Sequence, residues 1–112
     1  MSLYLQLLKL KSNMSKIIFE INYNIIPEKR EEYLQTITNL RNNIKETSNN
    51  NYSVFEDKKS PNNFTEMYVC ESEEEFDAIE DNQSEETIEL TQSLFNDFIK
   101  DRKVNYATKY EV

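Results

Sequence analysis

A chain of 112 residues with no histidine, no glycine and one cysteine lacks the parts for several chemistries. Imidazole bases, histidine-ligated zinc and haem, Gly-rich phosphate loops, internal disulfides and Cys-x-x-Cys pairs are all excluded. With 13 basic against 21 acidic residues, the net charge of -8 repels nucleic-acid phosphates and anionic membrane surfaces, so neither is expected as a partner.

At this length one domain with a single core is expected, placed at residues 16–112. Residues 1–15 read as an N-terminal extension, disordered or loosely packed. Leu3, Leu5, Leu7, Leu8 and Leu10 form an apolar run far shorter than a membrane span. No basic segment precedes the run and no small-residue cleavage site follows, so it is a poor signal peptide. The second reading of this stretch is an element that packs on a partner subunit. The sparing use of cysteine points to the cytoplasm.

The first strand is expected over residues 17–26. Ile17, Phe19, Ile21, Tyr23 and Ile25 alternate onto one face, with Ile18, Glu20, Asn22 and Asn24 on the other. Pro27 ends it and suits the first position of a helix over 28–46, whose apolar stripe is Tyr33, Ile37, Leu40 and Ile44. After a polar loop at 47–51, residues 52–57 and 64–71 form a hairpin around Pro61-Asn62-Asn63. With no glycine to use, the turn takes asparagine at positive φ. Ser72 and Glu75 form a capping box for a short helix over 73–82, with Phe76 and Ile79 on one side. Ser84 caps a further helix along which Ile88, Thr91, Phe95 and Phe98 line up, flanked by Leu94 and Ile99. Residues 104–112 alternate again and form the last strand. The acidic runs Glu73–Glu75 and Glu85-Glu86 sit in first helical turns, where dipole and cap explain them, so no metal site is assigned.

Strand, helix, strand, strand, helix in two pieces, strand is the order of the α+β ferredoxin-like sandwich. Right-handed crossovers give an antiparallel sheet of order 4-1-3-2 with the helices on one face. The other face, carrying Ile18, Met67 and Val69 or their opposite-parity neighbours, is left uncovered. An exposed patch of that kind marks an association surface, so a homodimer packed face to face is expected.

Residues 64–76, Phe-Thr-Glu-Met-Tyr-Val-Cys-Glu-Ser-Glu-Glu-Glu-Phe, resemble the strand, acidic cap and helix of the antibiotic-biosynthesis-monooxygenase-like proteins, which are dimeric α+β barrels. The resemblance runs from about Lys16 to Val112, carried mainly by element order. It implies a dimeric barrel and, among the family's activities, cofactor-free oxygenation of a small aromatic substrate or haem degradation. Ile79 stands where many members have histidine, and Ile21 near the first-strand asparagine of the haem-degrading members. Haem degradation is therefore not expected, and no cofactor is assigned.

Phe64, Glu66, Tyr68 and Cys70 share one strand face, with Tyr23 on the adjacent strand. The resemblance turns that face toward the cavity. A carboxylate there is desolvated and becomes a base for a phenol-like substrate, giving Glu66 as the catalytic base with Tyr68 and Tyr23 holding the substrate oxygen. The same assignment follows by elimination, since most other acids lie in helix starts or loops. Cys70, where the family often has tryptophan or tyrosine, is placed in the ligand-binding set, although a buried structural thiol explains it as well. Asn22, on the opposite face, is a candidate for a small polar ligand between subunits. Three classes stay open: a cofactor-independent monooxygenase, a non-catalytic ligand-binding or regulatory dimer, and a structural module whose tyrosines are core rings.

Overall fold

The computed structural model describes residues 15–112 together with Leu3, so the expected extension lies almost wholly outside the described residues. The strands are β1 (Ile17–Ile25), β2 (Asn51–Glu56), β3 (Asn63–Cys70) and β4 (Ile99–Tyr110). The helices are α1 (Arg30–Thr47), α2 (Glu73–Asp77) and α3 (Glu85–Ser93). A short 3-10 turn, Pro27–Lys29, leads into α1, and a π-helical segment, Leu94–Phe98, joins α3 to β4.

The sheet order is β2-β3-β1-β4, the expected 4-1-3-2 order read from the other edge. All three pairings are antiparallel. The β1–β3 register sets Phe19 against Tyr68, Ile21 against Glu66 and Tyr23 against Phe64. Because side chains alternate along a strand, this register puts the odd residues of β1 and the even residues of β3 on one face. That face is the core: Ile17, Tyr23, Ile25, Phe64, Glu66, Tyr68 and Cys70 are all buried on it. The stripe of α1 packs there as expected, with Tyr33, Ile37, Leu40 and Ile44 buried.

Three local expectations are corrected. The helix after Ser84 does not bury Ile88 and Phe95, which are 41% and 40% exposed. Thr87, Leu94 and Phe98 are buried instead, and Leu90 packs against the core. The residues that pack inward, Thr87, Leu90, Leu94 and Phe98, keep helical spacing on a stripe turned by about one position from the expected one, so Ile88 and Phe95 fall together on the more exposed side. The helix after Ser72 stops at Asp77 and continues as turns.

The third correction is β4, which begins at Ile99, well before the alternating run from 104. Two steps along β1, from Tyr23 to Ile25, correspond to five along β4, from Val104 back to Ile99. The polar run 100–103 carries no alternation because it forms this irregularity, in which Asp101 and Arg102 take φ of 56° and 52°. The hairpin turn follows expectation, with Asn62 at φ 67° where a glycine would ordinarily sit.

Both helix caps form. The Ser72 hydroxyl accepts the Glu75 N–H at 3.2 Å and the Ser84 hydroxyl accepts the Thr87 N–H at 3.0 Å. The Glu75 carboxylate reaches back to the N–H of Glu71 at 2.9 Å, one residue beyond the N-cap position that a standard capping box uses. Ser84 is also clamped to α1. Asn43 Oδ1 accepts from the hydroxyls of Ser84 (2.7 Å) and Thr87 (2.6 Å), and Asn43 Nδ2 donates to Glu86 Oε2 at 2.7 Å. This clamp fixes the start of α3, whose far end roofs the cavity described next.

Candidate active site

Between the sheet and the α3–π segment lies a cavity of about 220 Å³. Its floor comes from three strands: Phe19, Ile21 and Tyr23 of β1, Glu66 and Tyr68 of β3, and Val104 and Tyr106 of β4. Ile79, Thr91, Leu94 and Phe95 form the roof, and Glu80 and Gln83 stand at the rim. Tyr106 is 67% exposed because the helices do not reach over the outer strand, so the cavity opens on that side. Ile21 and Ile79 are both part of the wall.

Glu66 is the one acid buried in the described core, 7% exposed. A buried carboxylate costs several kcal/mol unless partnered, and the strand register supplies partners from both diagonals. Tyr52 faces Tyr68 across β2–β3, one diagonal step from Glu66, and its hydroxyl donates to Glu66 Oε1 at 2.6 Å. Tyr23 faces Phe64 across β1–β3, the diagonal step on the other side. Burial dominates and pushes the Glu66 carboxyl above the usual carboxylate range, while hydrogen bonding from Tyr52 and Tyr23 acts in the opposite sense.

The tyrosines respond in kind. Burial and the neighbouring Glu66 raise Tyr23, Tyr52 and Tyr68 well above the ordinary phenol range, so all three remain neutral donors. Tyr23 shares a 2.8 Å hydrogen bond with the hydroxyl of Tyr33, which is fully buried on α1. The result is a pair of supports. Tyr52 stands behind Glu66 outside the cavity wall, and Tyr33 stands behind Tyr23. A carboxyl held this way, raised by burial and partnered by tyrosine hydroxyls in a largely apolar cavity, is placed to exchange a proton with a bound hydroxyl.

Of the residues expected at the site, Glu66, Tyr68 and Tyr23 are brought together on the cavity wall. Cys70 lies two residues beyond Tyr68 on the same face, 1% exposed and outside the cavity wall. Burial pushes its thiol up to about 11, with Glu75 and Glu71 adding to the effect, so it is no nucleophile at neutral pH. Asn22 lies on the opposite sheet face. Its Nδ2 donates to Asn63 Oδ1 at 2.9 Å and Thr65 Oγ1 at 3.0 Å in a ladder across β1–β3. Tyr52 and Tyr33 were absent from the expected set. Tyr52 could have been found from hairpin register, and Tyr33 was already visible as a core ring of α1.

The described residues contain no group of three or more acidic or cysteine side chains placed to hold a metal ion. No described helix is long and apolar enough to cross a membrane.

Comparison with known proteins adds to this geometry. The model of the family described as transmembrane secretion effector matches residues 4–100. No curated protein matches the chain. Among solved structures, a conserved protein from Methanosarcina mazei superposes with a TM-score of 0.73 at 16% identity, covering 92% of this chain and 99% of its own. A Caulobacter crescentus protein ascribed to the antibiotic biosynthesis monooxygenases gives 0.72 at 11% identity, over 93% and 96%. A further antibiotic biosynthesis monooxygenase gives 0.68 at 15% identity, over 86% and 98%.

Proposed function

Since the chain belongs to the family described as transmembrane secretion effector and has the fold of the antibiotic biosynthesis monooxygenase-like proteins, we propose that it is a cofactor-independent monooxygenase of a small aromatic, phenol-like substrate. The observation that carries this reading is the Glu66 carboxyl: buried, raised by burial, and set in a cavity wall beside the Tyr23 and Tyr68 rings. Ionised Glu66 takes the phenolic proton while a tyrosine hydroxyl holds the substrate oxygen. The substrate anion is electron-rich and reacts with molecular oxygen against the largely apolar floor of the cavity. Oxygen adds at a ring C–H carbon activated by the oxyanion, the peroxide takes the proton back from Glu66, and loss of water from the resulting hydroperoxide leaves a carbonyl at that carbon. One oxygen atom enters the product and the other leaves in water, so no external reductant is needed. The working unit is a homodimer joined through the sheet face that the helices leave bare.

A non-catalytic ligand-binding dimer is the second reading. It is favoured by the fact that Glu66 Oε1 and the Tyr23 hydroxyl already have protein partners. Oxygen uptake across a panel of quinol-type compounds separates the two. Turnover is expected for the wild type. Glu66→Gln should lower it by about 10²-fold or more while keeping the circular dichroism of the fold. Tight binding with no uptake would leave the binding reading, and a Glu66→Gln variant that turns over as fast as the parent would remove Glu66 from the reaction.

A further inference from the structure

We infer that the cavity selects its ligand by charge: it takes a compact aromatic that presents a hydrogen-bond donor, neutral or cationic, and turns away the same ring system bearing a carboxylate. The inference deepens the reading above because it concerns the same cavity, but it rests on the electrostatics of the walls and not on the reaction.

The charges facing the cavity have one sign. Glu66 is in the floor and Glu80 stands at the rim, and the described lining residues include no lysine or arginine. Lys100 and Lys103 line a separate pocket that shares only Tyr23 with this cavity, and two further cations are paired. Arg30 is paired with Glu56 at 2.8 Å, and Lys109 with Glu20 at 3.2 Å on the opposite sheet face. A carboxylate entering this space meets Glu66 where solvent screening is weak and finds no cation to neutralise it. A phenol instead donates to Glu66, and an ammonium pairs with it.

The remaining floor favours both accepted classes. Phe19 sits between the rings of Tyr68 and Tyr106, with centroids 6.4 Å and 6.0 Å away and interplanar angles of 28° and 6°. Such a row of rings stacks on a flat aromatic and attracts a cation to its faces. The net charge of -8 acts in the same direction at long range, since it lowers the local concentration of anions around the whole molecule.

Three probes with one ring system test the inference: naphthol, naphthylmethylammonium and naphthoate, titrated into the wild-type chain by calorimetry at neutral pH. Naphthol and the ammonium should bind, with naphthoate at least ~10-fold weaker. Glu66→Gln should narrow the gap for naphthoate and weaken the ammonium. Glu80→Gln, an exposed change that leaves the floor intact, should raise naphthoate affinity by itself. Equal binding of naphthoate and naphthol, or failure of all three to bind, would overturn the charge rule. Bound naphthol without oxygen uptake would count against the monooxygenase reading and leave the charge rule standing.

Discussion

Tyr52 and Glu66 illustrate how one hydrogen bond can set the working range of a site. Tyr52 donates to Glu66 Oε1 at 2.6 Å and so favours the ionised carboxyl against the burial that favours the neutral one. Tyr52→Phe removes that donor with little change of volume. The Glu66 carboxyl should then titrate at a higher pH than in the parent, read by infrared or ¹³C resonance of labelled glutamate, and the acid limb of any pH–rate profile should move the same way. An unchanged titration would mean that the bond does not govern the group. Glu66 also links stability to pH. Its native pKa lies above the ordinary 4.5, so between 4.5 and the native value the folded chain keeps a proton that the unfolded chain has released. The contribution of Glu66 is therefore complete below 4.5 and is lost as pH rises through its native pKa. Glu66→Gln has no such proton to lose. The unfolding free energy of the parent relative to Glu66→Gln should fall as pH rises above 4.5 and level off only above the native pKa of Glu66, as urea titrations at several pH values would show. A flat difference would place the native pKa near its ordinary value.

At the scale of elements, the roof of the cavity depends on how α3 is tied down. Asn43 and Thr87 are 8% and 3% exposed, and Asn43 joins α1 to three side chains at the start of α3. Asn43→Ala leaves the buried Thr87 hydroxyl without that acceptor, at a cost of about 1–3 kcal/mol in urea unfolding. Loss of less than a few tenths of a kcal/mol would mean that water takes over the role. This clamp was not legible in the sequence, because Asn43 lies inside a helix among polar residues and its partners are about forty positions away. The features that were legible are local. Ser72 and Ser84 announce their helices, the α1 stripe has a clean period, and Asn62 takes the positive φ of a glycine-free turn. The reading failed in two places: the core-facing stripe of α3 lies one position from the expected one, and the irregularity at 100–103 concealed the first part of β4. Glu66 was legible because alternation fixes its face, whereas Tyr52 as its partner needed the diagonal register of the hairpin.

For the whole molecule, the asymmetry of the sheet is the main unresolved demand on the fold. One face carries the core and the cavity. On the other, Ile18 stands beside Val69, and Met67 and Ala107 flank Glu20, all only partly covered, while Phe55 is 54% exposed. The surrounding groups are paired within the sheet, through Glu20–Lys109 and the Asn22–Asn63–Thr65 ladder. An apolar centre with a satisfied polar surround is the composition of an interface, and a second copy offers the same surface by two-fold symmetry. The expected state is a dimer at micromolar concentration, with each partner burying about 800 Å². Charge opposes it, since each copy carries -8. Association should therefore strengthen as salt rises from low to physiological levels, before apolar contact becomes the only determinant. Sedimentation equilibrium across that salt range tests the direction. Met67→Glu places a carboxylate in the centre of the patch, beside Glu20, without touching the cavity face. It should give a folded monomer that retains the thermal transition of its own core and still binds naphthol. A wild-type chain that stays monomeric at every salt concentration would remove the dimer, and a Met67→Glu chain that stays dimeric would move the interface to another surface.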